Sequence, residues 1–164
     1  MNVEAEPTVA VSGALGIENV PRRVRNLSSF EHPNYIDCFA MDTPYASGCA
    51  PEVWARAMLE ESSLSRDARV LWTLMGLRLG PPASLDHVQG WRIERQGDDW
   101  MRLQTSSWYL SAGVLFLVEP DRLLASLSLR YDAPVARLIW AVVSNRHQKA
   151  VPVMMRQADR LLLR

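Results

Sequence analysis

The chain has 164 residues, of which 48% are apolar and 22% charged, and its formal net charge is zero. This length and composition are typical of one globular domain with a single core. The zero net charge does not favour a nucleic-acid partner, and no apolar run approaches the roughly 20 residues of a membrane span. Because neither cysteine lies in a CxxC motif and the first residues lack a signal-peptide pattern, we expect a cytoplasmic protein.

The first part of the chain shows no strong pattern. We predict that residues 1–31 form a partly ordered N-terminal arm with one short strand at most, and that residues 32–164 form the domain. Gly13 and Gly16 have a G-x-x-G spacing, but no GK[ST] segment follows in a strand-to-helix context. A phosphate-binding loop is therefore not indicated.

The next segment predicts one strand followed by two short helices. Tyr35–Asp42 is bounded by breaker pairs that contain proline and reads as the first strand. Pro51 suits the first turn of a helix, and a second helix is expected to begin near Ser65 and to end at Gly80–Pro82. The apolar positions with helical spacing in this second helix are Val70, Leu71, Leu74 and Leu77.

After the second helix the hydrophobic period changes to two, which predicts an antiparallel meander. Four strands are expected, at Val88–Gln96, 101–105, Ser107–Val118 and Leu123–Tyr131, with turns at Gly97-Asp98 and Glu119-Pro120-Asp121. In the last strand one alternating set of side chains should face the core. This set is Leu123, Ala125, Leu127, Leu129 and Tyr131.

The chain ends in a long amphipathic helix. It spans about 30 residues from Pro134, or roughly 45 Å if unbroken, and Pro152 is expected to kink it because proline has no N–H to donate to the carbonyl of Gln148. The segment Ser144–Lys149 is unusually polar for a helix that covers a sheet. These elements predict an α+β fold in which an antiparallel sheet grips the C-terminal helix.

The order of these elements resembles the helix-grip fold of the START-like and polyketide-cyclase-like (SRPBCC) superfamily. Two stretches are similar to an uncharacterised bacterial family of that kind: residues 71–80, LWTLMGLRLG, and residues 136–143, ARLIWAVV, which lead into Arg146-His147 and Val151-Pro152. The resemblance implies a last helix with an aromatic residue, a central His and a basic end. It also implies a space between sheet and helix that binds a small hydrophobic molecule.

His147 is the main candidate for chemistry, because histidine titrates near neutral pH and can act as an acid or a base. The competing interpretation is a surface histidine, or one that is hydrogen-bonded to a carbonyl of the sheet. No HExxH motif or His/Cys cluster is present, so neither a metal nor another cofactor is predicted.

Several aromatic and apolar side chains are predicted to line the space between the sheet and the last helix. The predicted ligand-binding residues are Trp108, Leu110, Phe116, Tyr131, Trp140 and His147. In a cavity they would bind a small apolar or amphipathic molecule, whereas in a filled core they would only stabilise the fold.

Three functions therefore stay open. The first is a binder of a small hydrophobic ligand. The second is a cyclase- or hydratase-type enzyme in which His147 works with a hydroxyl or an acid such as Tyr131 or Asp37. The third is a protein-interaction module with a filled core. A homodimer is also left open. The volume of a cavity between sheet and helix discriminates best among the three.

Overall fold

The computed structural model describes residues 9–163. The strands are β1 (Val11–Leu15), β2 (Tyr35–Asp42), β3 (His87–Val88), β4 (Trp91–Gln96), β5 (Trp100–Ser106), β6 (Leu110–Glu119) and β7 (Arg122–Tyr131). The helices are α1 (Arg22–Leu27), α2 (Pro51–Leu59), α3 (Ser65–Leu74) and α4 (Val135–Leu162), with a 3-10 turn at Ala46–Gly48. All seven strands form one antiparallel sheet in the order β1-β2-β7-β6-β5-β4-β3.

The middle of the sheet is buried on both faces. On β7 the predicted inward set packs in the main core, with Tyr131 only half-buried at its end. The alternate residue Leu124 is also buried, because Val20 and Val24 cover the outer face of the sheet in a second, smaller cluster. The long α4 covers the inner face, and the predicted α+β class is confirmed. The architecture is consistent with a helix grip.

The segment predicted as a single strand at Val88–Gln96 is in fact a hairpin of β3 and β4. Gln89 and Gly90 form its turn with φ values of 48° and 89°, and positive φ at both central residues is typical of a tight two-residue turn. A Cβ at position 90 would lie 2.9 Å from the Cβ of Leu79, so this turn also needs glycine for lack of space. The hairpin gives five strands after α3 instead of the predicted four.

The two predicted short helices are present, and one boundary differs. Pro51 occupies the first turn of α2, and α3 begins at Ser65, both as expected. However, α3 ends at Leu74 and not at Gly80–Pro82. The cause is Gly76, whose φ of 76° is the left-handed conformation that commonly ends helices.

The C-terminal helix α4 lies on the inner face of the sheet and continues through Pro152. Ala136, Met155 and Ala158 are fully buried along its inner side. Near its end the hydroxyl of Thr43, just after β2, donates a hydrogen bond to the carboxylate of Asp159. This bond and the buried side chains hold α4 against the sheet at both ends. Within residues 9–163, no helix combines the length and the apolar character needed to cross a bilayer.

The segment assigned to an N-terminal arm contributes two elements to this architecture. β1 pairs with β2 and forms an edge of the sheet. α1 lies on the outer face, where Val24 is fully buried, and Arg23 forms an ion pair with Asp99 of the β4–β5 turn. Residues 1–8 of the predicted arm lie outside the described residues.

Candidate functional site

The interior contains a cavity of about 920 Å³ between the inner face of the sheet, α3 and α4. Its walls are mostly apolar. The sheet contributes Trp91, Leu110, Ala112, Val114, Phe116, Ala125, Leu127 and Leu129. The helices contribute Leu71, Trp72, Trp140, Val143, Ala150 and Met154 among others, and Met75 follows directly after α3. The core between sheet and helix is therefore not filled, and its size lies in the range of small-molecule sites.

The cavity lies between α3 and the sheet, where α3 makes few contacts with the strands. None of the ten residues of α3 is buried, although its apolar side faces the cavity. At one end Trp72 contacts Trp91 of β4 edge-to-face, with ring centroids 5.4 Å apart. Below it, β6 presents alternate side chains from Leu110 to Phe116 to the space because strands have a period of two.

The opening of the cavity lies between α3 and α4. Every lining residue whose side chain is exposed belongs to one of these two helices. These rim residues are Asp67, Val70 and Leu74 on α3, and Val142, Asn145, Arg146 and Lys149 on α4. Leu74 is 80% exposed and Val142 is 82% exposed, so the rim includes large apolar side chains in water.

A buried carboxylate and a histidine form the polar part of the cavity wall. Nε2 of His147 on α4 lies 2.7 Å from Oδ2 of Asp37 on β2. The Tyr35 hydroxyl donates to the same oxygen at 2.7 Å, and the backbone N–H of Leu127 donates to Oδ1 at 2.9 Å. Asp37 is 1% exposed, so its carboxylate is satisfied by these protein donors and not by bulk water.

The hydrogen bonds of this network decide which of its groups donate and which accept. An ionised carboxylate only accepts hydrogen bonds, so the bond to Asp37 places a proton on Nε2 of His147. Burial, with the Asp37 charge as the second cause, raises the pKa of Tyr35 far above its ordinary value, so Tyr35 stays a donor. Among the described residues, Nδ1 of His147 has no hydrogen-bond partner.

Aromatic rings surround His147. Its ring centroid lies 5.4 Å from that of Trp140, 6.3 Å from Phe39 and 6.4 Å from Tyr35. Trp140 and Tyr35 also contact each other edge-to-face at 4.9 Å. The packing holds the imidazole in one orientation, which a positioned hydrogen-bonding or proton-transferring group requires.

The structure places four of the six predicted ligand-binding residues in the cavity wall: Leu110, Phe116, Trp140 and His147. Trp108 does not line it, because Ser107–Tyr109 form the turn between β5 and β6 and the Trp108 side chain is 72% exposed. Tyr131, at the end of β7, is half-buried and is not among the lining residues.

Asp37 is the residue that the predicted binding set lacks. From the sequence, Asp37 is predicted only as one of the residues that could work with His147 in an enzyme. The signal in the sequence is an acid in the middle of an otherwise apolar stretch of β2, YIDCFAM. Its position alternates with Ile36 and Cys38, which face the outer cluster, so Asp37 faces inward. The neighbouring Cys38 faces the outer cluster, and burial raises the pKa of its thiol to about 12. It is therefore a packing residue and not a nucleophile.

Within residues 9–163 no group of three His, Cys, Asp or Glu side chains comes together. Asp37 and His147 are a pair, and structural and catalytic metal sites in proteins usually need three or four ligands.

The chain was compared with protein-family models, curated proteins and solved structures. No protein-family model and no curated protein matches the chain. Among solved structures, the chain is similar to CalU16 from Micromonospora echinospora, with 13% sequence identity, over 94% of this chain and 92% of that chain, and a TM-score of 0.34. At this identity and TM-score the likeness supports no statement about function, and the fold rests on the topology described above.

Proposed function

We propose that the protein binds a small, predominantly apolar molecule in the cavity between the sheet, α3 and α4. The observation that supports this proposal is the cavity itself, about 920 Å³ of space with apolar walls inside a domain whose strands are otherwise well packed. Protein interiors are normally packed as densely as organic crystals. A space of this size with an opening is therefore a feature that a ligand would fill.

The Asp37–His147 pair supplies the polar contact for such a ligand. With Nε2 committed to Asp37, Nδ1 of a neutral His147 ring can accept a hydrogen bond from a hydroxyl group. One such contact fixes the orientation of a ligand that apolar walls alone would leave free to rotate.

We also propose a distant relationship to the START-like and polyketide-cyclase-like superfamily. The order of the elements supports it: a strand, two helices, an antiparallel meander and a long C-terminal helix.

Native mass spectrometry of freshly purified protein tests the proposal. We expect an added mass from a retained small molecule, or from one taken up from a panel of apolar compounds. Ala125→Leu places three extra carbons in the cavity wall and should reduce the occupancy. The matched control is Ala40→Leu, on the outer side of the neighbouring strand. Equal occupancy in the two variants, or none in the parent protein, would reject the binding proposal.

The second candidate function is a cyclase- or hydratase-type enzyme. The geometry that favours it is the carboxylate–imidazole pair, since a buried acid that orients a histidine is a common arrangement of general bases. His147 would take a proton at Nδ1 while Asp37 stabilises the imidazolium. If this is correct, a molecule found by mass spectrometry should gain or lose the mass of one water, or isomerise, during incubation. His147→Gln should stop the conversion and leave binding within a few-fold.

A further inference from the structure

Two basic side chains stand on the rim of the cavity. Arg146 and Lys149 are one helical turn apart on α4, and both are exposed and line the opening. Residues three apart on a helix present their side chains on neighbouring positions of its surface. Among the described residues, neither cation forms an ion pair with an acid, whereas Arg23, Arg56, Arg102, Arg122 and Arg130 all do. Lys149 is the only lysine of the chain.

The charges inside and around the cavity are arranged asymmetrically. Apart from Asp37, His147 and the uncharged Ser126, the interior wall is apolar. The Asp37 carboxylate disfavours a second negative charge nearby. On the opposite rim, α3 contributes one acid, Asp67. A negatively charged group is therefore best placed at the α4 side of the opening, where the two cations lie and water is accessible.

We propose that the ligand is an anionic amphiphile, whose carboxylate or phosphate group binds Arg146 and Lys149 and whose apolar body enters the cavity. This inference rests on the proposed binding function and specifies the class of ligand. Arginine and lysine both bind carboxylate and phosphate through charge-assisted hydrogen bonds. The exposed Val70, Leu74 and Val142 lie on the same rim and would contact the first carbons beyond the head group.

The test compares ligands with the same tail and different heads. The change in fluorescence of the cavity tryptophans is titrated with tridecanoate, dodecyl phosphate, dodecanol and dodecyltrimethylammonium, each below its micellar concentration. We expect an anionic head to bind about fivefold to tenfold more tightly than dodecanol, as two partly screened ion pairs can provide. We expect the cationic head to bind more weakly than dodecanol. The tighter of the two anions identifies the head group as carboxylate or phosphate.

Substitutions of the rim residues test whether the preference for anions comes from Arg146 and Lys149. Arg146→Gln with Lys149→Gln should bring tridecanoate to the affinity of dodecanol and leave dodecanol unchanged. The matched control is Arg137→Gln with Arg160→Gln, which removes two exposed arginines of the same helix that do not line the cavity. Asp67→Asn should strengthen binding of both anions.

The outcomes separate this inference from the function on which it rests. If dodecanol binds as tightly as both anions, or if the anion preference survives in the Arg146/Lys149 variant, the anionic-ligand inference is wrong and cavity binding still stands. If no compound binds, both are rejected.

Discussion

Replacing Asp37 tests whether the polar network holds α4 to the sheet. In Asp37→Ala the hydrogen-bond acceptor of three donors is lost: the N–H of Leu127, the hydroxyl of Tyr35 and Nε2 of His147. A buried donor left unpaired costs about 1–3 kcal/mol. The Leu127 N–H has no alternative, whereas Tyr35 and His147 are partly exposed and can turn toward water. The lost hydrogen bonds of Tyr35 and His147 add about 1 kcal/mol each. We therefore expect a total loss of roughly 3–5 kcal/mol, a large part of the stability of a domain.

Urea denaturation followed by circular dichroism measures this loss. Asp42→Ala is the matched control, because Asp42 lies at the end of the same strand and is exposed; it should change stability by no more than about 0.5 kcal/mol. If Asp37→Ala does not fold, Asp37→Asn retains one acceptor oxygen for the Leu127 N–H and should cost about 1.5–3 kcal/mol. Equal midpoints for the Asp37 and Asp42 variants would refute the reasoning.

Three further predictions follow from burial and backbone geometry. Trp140→Ala should destabilise the protein by about 3–5 kcal/mol, whereas Trp108→Ala should change the stability by no more than about 0.5 kcal/mol. Urea midpoints in the reverse order would contradict the placement of the two rings. Gly76→Ala should cost about 1–2 kcal/mol because its φ is 76°, and an unchanged melting temperature would argue against the left-handed end of α3. Burial raises the pKa of the Cys38 thiol to about 12, so this thiol should be almost wholly protonated at pH 8. Iodoacetamide should therefore label the half-buried Cys49 first and Cys38 only after unfolding. Simultaneous labelling of the two cysteines would contradict this.

The sequence predicts the long-range architecture where the hydrophobic period is uninterrupted. β7 and α4 follow directly, because ten residues with period two and then 28 residues with helical spacing have few alternative interpretations. The sequence does not reveal the β3–β4 turn, because Gln89-Gly90 lies within an apparently continuous alternation and glutamine rarely has positive φ. Trp108 was misplaced for a related reason: Ser107–Tyr109 continues the apolar run of β6 but forms a turn.

The candidate site was predictable only in part. The polar segment Ser144–Lys149 indicated that α4 meets water or a ligand there, and its residues 145–147 and 149 do line the cavity. The contact between Asp37 and His147 joins residues 110 positions apart in the chain, and no local pattern specifies such a pair. The existence of the cavity depends on the distance between α3 and the sheet. Hydrophobic spacing does not encode this distance, because an amphipathic helix has the same pattern whether it covers a cavity or a packed core.

The most direct test of the central claim is a crystal structure of the protein with a bromine-tagged dodecanol. A neutral ligand tests the cavity independently of the charges on its rim. The account predicts an anomalous bromine peak inside the cavity, among side chains such as Trp91, Phe116 and Met154, with α3 and α4 on either side of the entering chain. A cavity closed by its own side chains, or bromine bound only at the outer surface while the cavity stays empty at saturating ligand, would contradict it.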